Sequence, residues 1–146
     1  MSRPTADTTD LSWLINRIVE VDERVVSALL FSADGLVLTH SGGLHRDIAD
    51  SCSASLSGLR SLQITLSGML LLAQGESVPP VRLTVVDQSD YTLAILPAGS
   101  RSGLAVAIRG ALLSLEVPTV IANVQRTVEA VREVLETGGR RPVHPA

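Results

Sequence analysis

A chain of 146 residues suffices for one domain with a sizeable core, and with 45% hydrophobic but only 2% aromatic residues that core is aliphatic. All 12 basic residues are arginine, so the lysine of a P-loop is absent and a conventional P-loop NTPase is excluded; a net charge of −3 and three aromatics leave no basic, base-stacking face for nucleic acid. The mean hydropathy of +0.32 reflects no membrane span, since even the apolar run at 69–73 falls far short of the roughly 20 residues needed.

Residues 1–9 read as a flexible leader without the apolar region of a signal peptide, and one cysteine makes no internal disulfide, so the expected compartment is the cytoplasm. From Asp10, Leu11, Leu14, Ile15, Ile18 and Val19 recur at helical spacing, which predicts an amphipathic helix N-capped by Thr9 or Asp10. Residues 25–31 are apolar on both parities, so this strand must be covered on both faces. Ser32-Ala33-Asp34-Gly35 separates it from a second apolar run at 36–40, and Asp-Gly between two such runs signals a hairpin with Gly35 at positive φ.

The period turns helical over 45–74, with Ile48, Cys52, Leu56, Leu59, Leu62, Leu66 and Met69 or Leu70 along one stripe and Gly68 and Gly75 as candidate stops. Ser51, Ser53, Ser55, Ser57, Gly58, Ser61 and Ser67 occupy the other faces, where a solvated helix would carry long charged side chains. Such small residues admit a close neighbour, so this helix is expected to pack on its own sheet and on another helix too. Three short strands follow at 81–87, 91–96 and 103–108, and their short connections make an antiparallel meander. One parity is bulky (Tyr91, Leu93, Ile95; Leu104, Val106, Ile108) and the other mostly small (Thr92, Ala94; Ala105, Ala107), which predicts a very close neighbour on one face. Val117, Val120, Ile121, Val124, Val128, Val131 and Leu135 then form a last helical stripe. Pro118 fits only a first turn, 112–116 stays ambiguous, and Gly138 or Gly139 is the expected stop. The domain is therefore expected over 10–137, with 138–146 as a disordered tail.

The resulting order, α-β-β-α-β-β-β-α, predicts an α/β (α+β) sandwich: a five-stranded antiparallel sheet with helices on both faces. With that order, the segments FSADGLVLTHSGGLHRDIAD, LSGLRSL and PPVRLTVVDQSDYTLAIL resemble the roadblock/LC7 family over 10–136. The chain looks most like its actinobacterial branch, and the all-arginine usage suits a GC-rich genome. The resemblance implies a small dimeric sandwich that joins two sheets through the second helix and third strand, with no catalytic residues and no cofactor. It further implies regulation or scaffolding of a Ras-like small GTPase, in a setting that includes a sensor histidine kinase, with membrane contact only through partners. Carried onto this chain, the dimer surface comprises Ser53, Ser57, Gly58 and Ser61 of the helix and Val81, Arg82, Leu83, Thr84 and Val85 of the strand. The charged C-terminal helix is retained, and a contact through it stays open. The alternative is a small-molecule sensor of the PAS or profilin-like kind, which would need a pocket lined by aromatics and converging polar groups.

Elsewhere the chemistry points away from catalysis. Cys52 lies on an apolar stripe and reads as a buried structural thiol. His40 and His45 flank Ser41-Gly42-Gly43, but nothing completes four zinc ligands, and Asp47 and Asp50 more simply favour a helix dipole. The many serines lack a G-x-S-x-G elbow. Trp13 is either a partner anchor or packing at the sheet margin. Asp34 has no acidic neighbour for a cation, and Gly35 opens a strand where a phosphate loop would open a helix.

Overall fold

The computed structural model describes residues 11–75 and 77–136. In chain order the elements are α1 Ser12–Val19, β1 Val25–Ser32, β2 Val37–His40, α2 Arg46–Leu72, β3 Thr84–Gln88, β4 Tyr91–Pro97, β5 Ser102–Arg109, α3 Glu116–Ala130 and α4 Arg132–Glu136. The expected order is present with one addition. The last helix divides in two because Val131 leaves helical geometry, at φ −114 and ψ 21. The predicted caps Thr9 and Asp10, the leader, and the tail with Gly138 and Gly139 lie outside the described residues.

All strand pairs are antiparallel, in the spatial order β2-β1-β5-β4-β3, which makes β2 and β3 the sheet edges. Gly35 adopts φ 87 and closes the β1–β2 hairpin, with Ser32 N–H donating to Leu36 O at 2.8 Å. In the turn between α1 and β1, Asp22 accepts the Arg24 backbone N–H at 2.8 Å and its guanidinium at 3.0 Å. These bonds, the backbone one foremost, hold the Asp22 carboxyl below the usual carboxylate range. The third strand starts at Thr84 and not at 81. Its pairing runs from Thr84↔Ile95 to Gln88↔Tyr91; residues 81–83 would oppose the end of β4, where Pro97 has no N–H to donate and the chain turns toward β5.

Leu14, Ile15 and Ile18 of α1 and Val117, Val120 and Val124 of α3 bury one sheet face, against Ala28, Leu30, Leu104, Val106 and Ile108. Helix α2 lies on the other face, packed chiefly on β1 and β2. The expectation that one face is lined by small residues fails, because the register interleaves bulk. Thr92 and Ala94 oppose Ile108 and Val106 on the first face, whereas Leu93 and Ile95 oppose Ala107 and Ala105 on the second. Phe31 makes the tightest case. A Cβ on its neighbour Gly103 would lie 2.4 Å from the Phe31 ring, so the fully buried ring occupies the space that glycine leaves.

Candidate partner-binding surface

Helix α2 has 27 residues, about 40 Å at 1.5 Å per residue, and its two halves have different surroundings. In the first half, Ala49 and Ser53 are fully buried against the protein's own sheet and hairpin. Ser57 Oγ donates to Ala33 O at 2.8 Å, and a Cβ on Gly35 would stand 3.4 Å from Ala54 Cα and Ser57 Cβ. The close neighbour that the small residues 53 and 57 admit is therefore the protein's own Ser32–Gly35 turn. Gly58 has open space around it, and Ser61 is exposed.

In the second half the apolar side chains face outward. Leu62, Ile64, Leu66, Met69, Leu70 and Leu72 are each more than half exposed. Sequence spacing placed several of them on one stripe with Cys52, Leu56 and Leu59. The signal that could have found this surface is an excess: residues 62–72 are apolar around the whole helix, more than one sheet-facing stripe can absorb. Gly68 does not end the helix, which runs on to Leu72.

Thr84 Oγ1 donates to Gln63 Oε1 at 3.0 Å, tying the edge strand β3 to the middle of α2. Thr84 and Val85 are half-buried on β3, and the preceding Val81 is half-buried while Arg82 and Leu83 are exposed. The outer rim of β3 pairs with no described strand. A continuous surface thus runs from Gly58 and Ser61 along the outward leucines of α2 to an open sheet edge, the arrangement that a strand-adding partner satisfies.

His40 and His45 bond to the backbone around the start of α2. His45 Nδ1 accepts the Asp47 N–H at 3.2 Å as the N-cap of α2, and His40 Nδ1 lies 2.8 Å from Ser41 O. Arg46 and Asp50 pair at 3.3 Å. Among the described residues no group of three or more His, Cys, Asp or Glu side chains could hold a metal. Cys52 is half-buried, more accessible than its stripe position suggested. Trp13 packs at the margin of the core, with the Arg17 guanidinium 5.9 Å from its ring centroid. The cavity between α2 and the sheet, beside Phe31, Leu56 and Ile95, amounts to about 20 Å³, room for one water. No described helix is long and apolar enough to cross a membrane.

No family model and no curated protein matches the chain. Among solved structures, a roadblock/LC7 domain from Streptomyces avermitilis is 32% identical, over 86% of this chain and 97% of its own, with a TM-score of 0.68. The chain belongs to the roadblock/LC7 family. The roadblock/LC7 fold extends to more distant structures: MglB of Myxococcus xanthus is 15% identical over 94% of this chain and 96% of its own, with a TM-score of 0.68. An MglB solved with a tetrameric arrangement is 18% identical over 94% and 96%, with a TM-score of 0.70.

Proposed function

We propose that this roadblock/LC7 protein is a non-catalytic, homodimeric adaptor or regulator of a Ras-like small GTPase, acting in the cytoplasm in sensor-kinase-linked signalling. The observation that carries the reading is the unburied apolar stripe of α2 beside the open edge of β3. Two copies related by a two-fold axis pack α2 against α2 and join their sheets edge to edge through β3. Fully burying an aliphatic side chain stabilises by about 1.5–3 kcal/mol. Several half-exposed ones per protomer supply a term of the same order as the roughly 4–15 kcal/mol lost on association. The family membership supports the GTPase as partner, and the structural roles of His40 and His45 support the absence of catalysis. A small-molecule sensor would need a pocket lined by aromatics; the cavity under α2 has room for one water, and the larger groove between α2, residues 78–82 and α3 is lined by no aromatic side chain.

The test is a pull-down from native lysate with the protein as bait, comparing GTP and GDP loading and identifying what is retained. A small GTPase whose retention depends on the nucleotide is the expected result. Retention of no GTPase under either condition contradicts the reading.

A further inference from the structure

Leu113 and Leu115, in the loop between β5 and α3, are 91% and 89% exposed, more than any other large apolar side chain described. The loop is nevertheless braced. Ser114 N–H donates to Ala111 O at 3.0 Å, Gly110 N–H to Asp90 O at 2.6 Å, Leu112 N–H to Asp87 Oδ1 at 3.3 Å, and Val117 N–H to Ser114 Oγ at 3.2 Å. A loop held this firmly, with two leucines in water, is preorganised for a contact. Its surroundings are acidic: Asp87, Asp90 and Glu116 are exposed there, against the single exposed Arg109.

A complementary surface lies at the other end of β3. There a groove of about 1130 Å³ opens between α2, residues 78–82 and α3, with Ile64, Val81 and Val128 among its apolar walls. Its arginines outnumber its glutamates, and both glutamates lie within 4.0 Å of Arg132. Arg60, Arg82 and Arg126 have no ionic partner among the described residues, and the buried Arg60 Nη1 has no hydrogen-bond partner among them. A guanidinium shielded at one nitrogen and without an ionic partner gains from a carboxylate.

Two-fold antiparallel pairing of β3 sets the C-terminal end of one strand against the N-terminal end of the other. Asp87 ties the leucine loop to the C-terminal end, and residues 78–82 of the groove precede the N-terminal end. We infer that each protomer of the dimer seats Leu113 and Leu115 in the groove of the other, bringing an acidic rim onto Arg60, Arg82 and Arg126. The inference rests on the β3-edge dimer proposed above and adds a second, reciprocal contact to it.

Two measurements test it together. The dissociation constant of a Leu113→Arg/Leu115→Arg double variant, which sets like charge against the arginines of the groove, should rise about tenfold or more over wild type, with an unchanged circular dichroism spectrum because both side chains are solvated in the protomer. In a Cys52→Ser background, Leu115→Cys chains mixed and exchanged with Arg126→Cys chains should form a cross-linked dimer with a short bismaleimide, while neither variant alone does. Wild-type affinity in the double variant, or no cross-link in the mixture, overturns the loop contact; if Leu66→Arg on α2 still yields monomers, the dimer itself stands. A wild-type chain monomeric at every concentration overturns both.

Discussion

At Gly35 the backbone turns through φ 87 while α2 passes so close that an added Cβ would stand 3.4 Å from Ala54 Cα and from Ser57 Cβ. Gly35→Ala is expected to lower the unfolding free energy by about 1–2 kcal/mol from the left-handed conformation alone, measured by urea titration. At Gly103 the constraint comes from packing. Gly103→Val pushes a side chain into the buried Phe31 ring and should cost about 1–3 kcal/mol or more in the same titration. The first of these positions was legible in the sequence, because Asp-Gly between two apolar runs is a local signal. The second was not, since Gly103 meets Phe31 only through the pairing of β1 with β5. Ser53 and Ser57 show the same limit. Their small size announced a close neighbour, but that the neighbour is the chain's own turn depends on where α2 crosses the sheet.

Helix α2 as an element was plain from its period, and the direction of its faces was not. A 3.6-residue period shows that apolar positions align; it does not show which of two apolar sectors meets the sheet. The exposed sector leads to a prediction at this scale. Leu66→Arg should give a monomer by light scattering with an unchanged circular dichroism spectrum, because Leu66 has few contacts in the protomer to lose. Gly58→Arg, in open space, should act likewise, whereas Ser57→Arg should lower the melting temperature of the protomer itself by displacing the hairpin. An unchanged mass for both Leu66→Arg and Gly58→Arg would remove α2 from the interface. The strands were legible in number and order. Their ends were less so, as at β3, where Pro97 of the neighbouring strand decides where pairing starts.

For the whole molecule, the sheet has one face closed by α1 and α3, one face half closed by α2, and an open edge beside that half-closed face. A second copy in two-fold register would complete both at once, and the proposed GTPase interaction builds on that proposed dimer. The element order carried the family in the sequence. The proposed partner surface was less legible there: the sequence put the leucines of α2 on one stripe with residues that pack on the sheet, and only the three-dimensional crossing of α2 shows them exposed beside the edge of β3. The most direct measurement is the solution mass of the wild-type chain by light scattering at micromolar concentration. A homodimer gives twice the chain mass of 15.4 kDa; a mass of one chain, holding across the concentration range, contradicts the proposed interface.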